Sequence, residues 1–189
     1  MRKVLYILGQ LSDDDVEWLI AHGDRMPVPA ETTIIREGKP IDAVYIVLDG
    51  LLRVSSVAMG LSPAAANLQE KELAQLGAGE IVGEMSFVDA RPPSASVRAL
   101  RDSVVLAIPR ARLLTKLDED MGFAARFYRA VATFLSDRLR STVSRMGYGE
   151  NQHLQDDVEY ADELDDNVLD TVHLAGARFQ HILERLSGN

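Results

Sequence analysis

Between Pro27 and about Leu106 the chain is a succession of short β-branched or alternating runs, TTII, AVYIVL, LLRVSSV, SASVRAL and SVVLAI, separated by Gly, Pro and Asp. Alternation at a period of two, broken every few residues by turn formers, is the pattern of short strands. About eight of them form a compact all-β unit. One stretch departs from the pattern: AMGLSPAAANLQEK, between Val57 and Glu72, is too long for a tight hairpin and predicts an extended loop or tongue between two strands.

Helical signals flank this unit. Ser12 followed by Asp13, Asp14 and Asp15 marks a helix start, a hydroxyl cap with carboxylates beside the positive end of the dipole, and Gly23 closes that helix after about Ala21. After Pro109, Leu113, Leu114 and Leu117 form a first short apolar face. A longer helix follows from about 119 to 146, on which Phe123, Phe127, Val131, Phe134, Leu135, Leu139, Val143 and Met146 recur at three- and four-residue spacing. Gly147 and Gly149 end it, and residues 149–157 read as a linker. From about 158 to 189 the chain predicts an acidic amphipathic tail. Ala161, Leu164, Val168, Val172, Ala175, Phe179, Ile182 and Leu186 form a heptad-like stripe that must dock against something apolar.

Charge narrows the function classes. Residues 1–148 hold 19 acids and 18 Lys or Arg, whereas 149–189 hold 10 acids and only Arg178 and Arg185, so the tail carries nearly all of the net charge of −9. An acidic tail repels phosphate backbones and argues against nucleic-acid binding, which needs a basic stripe. The absence of cysteine excludes disulfides, cysteine-ligated metals and thiol nucleophiles. The N-terminal apolar run is too short for a signal-peptide core or a membrane span, which predicts a soluble, cytoplasmic protein.

The segment GEIVGEMSFVDARPPSASVRAL, from Gly79 to Leu100, resembles the phosphate-binding cassette of the cyclic-nucleotide-binding family. That family includes bacterial catabolite regulators, kinase regulatory subunits and gated channels. IIREGKPIDAVYIVLDGLLRV, from Ile34 to Val54, resembles its first strands, with Gly38 in the turn and Gly50 before the next strand, and about residues 5 to 145 are covered. The resemblance implies a mainly β fold with flanking helices: a jelly-roll-like β-roll over about 27–108 inside a unit of residues 1–148, followed by long C-terminal helices. It also implies a ligand site at Gly83, Glu84, Met85, Ser86, Arg91, Pro93, Ser94, Ala95 and Ser96, with a cyclic nucleotide as the possible ligand and no other cofactor. In the family the glutamate at Glu84 binds the ribose 2′-hydroxyl, and an arginine at the position of Pro93 pairs with the cyclic phosphate.

Pro93 is therefore the departure that matters. It removes the counter-charge and a backbone donor together, and one lost charged hydrogen bond is worth roughly 1.5 to 3 kcal/mol, on the order of ten- to a hundredfold in affinity. Arg91, two residues earlier, is a candidate replacement at a loop tip. Ser94 and Ser96 keep hydroxyl and N–H donors, so a weak anion, a neutral ligand or a cyclic dinucleotide stays in play. In catabolite-type relatives the counterpart of the long helix forms a two-fold seam, which predicts a homodimer through Phe127, Val131, Phe134, Leu135 and Leu139; the competing role for these side chains is to cover the mouth of the roll. A tail face of Leu164, Val168, Val172, Phe179, Ile182 and Leu186 is expected to join that interface or meet a partner protein.

Rival chemistries find little support. His22, His153, His173 and His181 all lie off the predicted strands, which argues against a metal site inside a cupin-type barrel. No serine stands in a glycine-flanked elbow, and Glu84 alone makes no acid–base pair. The 40 or so residues after the long helix are too few and too acidic for the helix-turn-helix of a transcription regulator. The expectation is a non-enzymatic regulatory or adaptor protein acting through protein contacts, with a small-ligand sensor as the alternative and a DNA-binding regulator as the second.

Overall fold

The computed structural model describes residues 6–58, 69–88, 91–145 and 166–187. Two short helices, α1 (Tyr6–Gln10) and α2 (Asp13–His22), precede the strands β1 (Asp24–Val28), β2 (Thr33–Ile35), β3 (Ala43–Asp49), β4 (Leu51–Ala58), β5 (Gln69–Gly77), β6 (Ile81–Val82), β7 (Ser96–Ala99) and β8 (Ser103–Pro109). A 3-10 turn at Glu84–Phe87 interrupts the strands, and α3 (Arg110–Glu119), α4 (Met121–Arg145) and α5 (Asp166–Ser187) follow them. The strands pair antiparallel in two four-stranded sheets, β1-β8-β3-β6 and β2-β7-β4-β5. The mainly β roll with flanking helices is the architecture the cassette resemblance implied.

Period two decides which side chain serves which layer. Along β3, Val44, Ile46 and Leu48 join the helices on one face of the first sheet, while Val47 points into the roll. Along β8, Leu106 and Ile108 face the helices and Val105 the interior. The first sheet is thus buried on both faces. The second sheet has one buried face, with Ile35, Leu52, Val54, Val97 and Ala99 inside, and Arg53 and Arg98 sit between these inward positions. Gly50 joins β3 to β4 at φ 105°, where an added Cβ would lie 2.6 Å from the backbone Cα of Ser103. A side chain at position 50 would push the β3–β4 corner off β8.

Ser12 caps α2 as its sequence promised: its hydroxyl accepts from the Asp15 N–H, and the Asp15 carboxylate accepts from the Ser12 N–H. The short α1 was not anticipated. β1 starts at Asp24, ahead of the expected Pro27, and the long helix starts at Met121, not 119, because Asp120 closes α3 and accepts the Phe123 N–H. The expected tongue is shortened from both ends, since Val57 and Ala58 belong to β4 and Gln69 to Lys71 belong to β5. Its middle, the 149–157 linker, Met146 and the 158–165 part of the tail lie outside the described residues.

Two expected contact faces change meaning. Phe127, Val131 and Phe134, offered as a dimer seam, are buried in the chain's own helical core, and Leu135 packs half-buried against it; of these five expected seam residues Leu139, at 64% exposure, stays available. The tail stripe is likewise used within the chain. Ile182 is fully buried against the core, with Phe179 and Leu186 packed beside it, and α5 lies along α1 and α2. Val172 is half-buried, while Leu164 and the Val168 side chain lie outside the described residues. The docking is fixed by charge. Arg178 donates to Asp13 at 2.7 Å and to the Leu8 carbonyl at 2.9 Å, and His181 and Arg185 both reach Glu17. The stripe predicted burial of a face, and the face is met by the chain's own N-terminal helices.

Candidate functional site

The cassette starts where β6 ends. Gly83 takes φ 93°, ψ 0°, and a Cβ there would come within 3.0 Å of Ile41 Cδ1 and 3.2 Å of the Ala43 carbonyl oxygen, so glycine is required on both conformational and steric grounds. The chain then turns directly into the 3-10 segment. This puts Glu84 at 1% exposure, a carboxylate fully inside the protein. Ser86, also buried, donates its hydroxyl to the Arg91 carbonyl at 3.1 Å. Gly38 donates its N–H to the Pro93 carbonyl at 2.9 Å and so ties the far end of the cassette to the turn after β2.

Between these fixed points lies a cavity of about 60 Å³. Gly83, Glu84, Met85, Ser86, Pro93, Ser94 and Ala95 contribute to its lining, closed by aliphatic side chains such as Ile35 and Val54. Two expected site residues are not part of it. Arg91 is exposed and contributes its backbone carbonyl to Ser86, with its side chain absent from the lining. Ser96 lies on the outside of β7, where its hydroxyl oxygen accepts the Glu37 N–H at 3.0 Å. The strand alternation explains this correction: with Ala95 and Val97 inward, Ser96 must face out.

None of the described residues lining the cavity is Lys or Arg, and Pro93 stands in that lining at the position where the family resemblance calls for an arginine. Its volume is far below the roughly 300 Å³ at which small-molecule pockets begin. Gly83 and Glu84 both belong to the cavity's lining.

Sequence reading missed Arg110. At the junction of β8 and α3 it donates to the Ser86 carbonyl at 3.3 Å and lays its guanidinium 4.9 Å from the Phe87 ring centre. Phe87 in turn meets Phe127 of α4 edge-on at 6.5 Å. The cassette is thereby packed against the long helix. A basic residue opening a helix carries no signal of such a role; only the fold brings it to the 3-10 turn.

Among the described residues no cluster of three or more His, Cys, Asp or Glu could hold a metal ion, and no helix is long and apolar enough to cross a membrane.

Comparison with known proteins agrees with this geometry. An uncharacterized NTE family protein of Mycobacterium tuberculosis is 30% identical over 129 residues, which is 68% of this chain and 20% of that protein. The cyclic AMP receptor protein of Thermus thermophilus is 33% identical over 100 residues, 53% of this chain and 43% of that protein. The chain thus spans about a fifth of the first of these curated relatives and less than half of the second. Among solved structures, a cyclic nucleotide-binding domain from Methylobacillus flagellatus superposes with a TM-score of 0.66 at 23% identity, covering 80% of this chain and 85% of that one. The family model for the cyclic nucleotide-binding domain matches residues 25–120, from the first strand to the end of α3, and the chain belongs to that family.

Proposed function

We propose that this chain is a regulatory module without catalytic activity, whose interior site does not take cyclic AMP in the manner of the family and which acts through contacts with other proteins. The observation that carries this reading is Pro93. It lines the cavity, its carbonyl is already committed to Gly38, and no cation stands beside it among the described lining residues. A cyclic phosphate brought inside would lose its charged partner and gain no substitute, at an expected loss of about ten- to a hundredfold in affinity. Contacts between copies would run through the free end of α4, where Leu139 and Val143 are exposed one turn apart.

Thermal-shift titration of cyclic AMP, cyclic GMP and cyclic di-GMP tests the interior site, with the native protein beside Pro93→Arg and with Glu84→Ala in the Pro93→Arg background. The expected result is no shift for the native protein, a shift with Pro93→Arg, and its loss when Glu84 is also removed. A saturable shift of the native protein by any of the three would overturn the reading in favour of a nucleotide sensor.

A further inference from the structure

The outer face of the second sheet carries cations that the described lining of the interior cavity does not. Alternation from Ala95 through β7 sends Ala95, Val97 and Ala99 into the roll and Ser96 and Arg98 outward. There they line a cleft of about 510 Å³ with Thr33, Arg36, Glu37, Lys39 and others, a volume within the range of small-molecule sites. Arg98 stands directly across the β4–β7 ladder from Arg53. Like charges placed opposite each other in a sheet repel, and the Nε atoms of both arginines are covered and have no hydrogen-bond partner among the described residues.

The carboxylates nearby are already engaged. Glu31 pairs with Arg98 at 3.4 Å. Glu37 accepts from the Ser56 hydroxyl and the Val57 N–H, each at 3.1 Å. Glu70 accepts from the Ser55 hydroxyl and pairs with Arg53 at 3.8 Å. Arg36 and Lys39, exposed on the turn after β2, have no ion-pair partner among the described residues. Ser96 uses its oxygen to accept from Glu37 and retains its proton as a donor.

We propose that this cleft is a second ligand site, on the opposite side of β7 from the interior cavity, for a small molecule carrying phosphate or carboxylate groups. Arg36, Lys39 and Arg98 supply the charge and Ser96 a hydroxyl donor, the combination of charged and neutral donors that oxyanions require. The proposal stands independently of the reading of the interior site, since it uses the opposite faces of β2 and β7.

The test is a titration of the ¹⁵N-labelled protein with pyrophosphate and, in a second arm, citrate, against sodium chloride at matched ionic strength. Saturable shifts at the amides of Arg36 to Lys39 and Ser96 to Arg98 are expected, tighter for pyrophosphate if the natural ligand is a phosphate and for citrate if it is a carboxylate. Arg36→Glu with Lys39→Glu should weaken binding about tenfold or more. The proposal fails if chloride reproduces the shifts, if neither anion gives saturation, if the double variant binds as the native protein does, or if the shifts map to Val82 to Ser86. The map on the native protein decides the matter even if the double variant does not fold.

Discussion

The interior of the roll and the helical layer outside it are built by different means. The interior is filled by Val28, Ile35, Val47, Leu52, Val54, Leu76, Val82, Val97 and Val105, branched aliphatics delivered by strand alternation. The helical layer is aromatic and stitched at its edges by charge. Phe123 stacks on Phe127 at 5.9 Å, Trp18 leans on Phe123 at 5.6 Å, and Arg126 makes two bonds, 2.6 and 2.8 Å, to Asp15, a residue 111 positions away that is itself 3% exposed. Strand pairing confines the first set to one arrangement, because a slip of one residue would turn every side chain over. Helices can slide and rotate, so the second set needs specific long-range pairs to choose one packing.

The sharpest way to break this comparison is Ile182→Ala. If roll and helical layer unfold together, emptying the position under α5 lowers the unfolding free energy by about 2–5 kcal/mol in chemical denaturation. If the global transition is unmoved and only the α5 amides exchange faster, the layer is divided and α5 is a separable unit.

Asp15→Ala comes next, because it removes a cap and a charged partner at once; a loss of about 2 kcal/mol is expected. Asp15→Asn isolates the charge. Burial raises the Asp15 carboxyl, but hydrogen bonds from Arg126 and from the backbone and side chain of Ser12, with the Arg126 charge, outweigh it and hold the carboxyl below its ordinary value. A depressed folded-state value means that the carboxylate's contribution is present above the unfolded pKa of about 3.9 and is lost as the pH falls through the folded one. The stability gap between native and Asp15→Asn protein should therefore be constant near neutrality and close below about pH 4. A gap that persists in acid would assign the effect to packing.

Gly83→Ala probes the roll side. Left-handed backbone in a residue with a Cβ costs about 1–2 kcal/mol, and the methyl would press on Ile41 and the Ala43 carbonyl, so a modest drop in melting temperature is expected with the helical layer intact by near-ultraviolet circular dichroism. Leu139→Glu should have the smallest effect on the fold, within about 0.5 kcal/mol for an exposed position, while light scattering should show loss of any dimer built on the end of α4. A dimer that survives the substitution would move the interface elsewhere.

The cassette and the strands around it were legible because their signals are local. Glycines stand where the backbone is left-handed, as at Gly83 and Gly50, and breakers bound each strand. Arg91, expected at a loop tip, is exposed, whereas Ser96 was grouped with the site by treating the cassette as a block; counting parity along Ala95, Ser96 and Val97 would have put Ser96 outside. Arg110 and the Asp15–Arg126 pair had no such signal, since neither spacing nor composition marks residues that meet only after folding.

The sequence by itself determined the period-two roll, the capped helix before it, the cassette with its proline, and the apolar stripe of the tail. Each is encoded over a few neighbouring residues, by side-chain direction and backbone preference. Only the tertiary structure decided that the described part of the tail stripe covers the chain's own α1 and α2, that Phe127, Val131 and Phe134 belong to the core, and that Arg36, Lys39 and Arg98 line the outer cleft. A stripe specifies that a face must leave water and carries no record of what it will meet, because hydrophobic burial is non-directional; the partner is selected by charges such as Arg178 and Asp13, separated by 165 residues and brought together only by the fold.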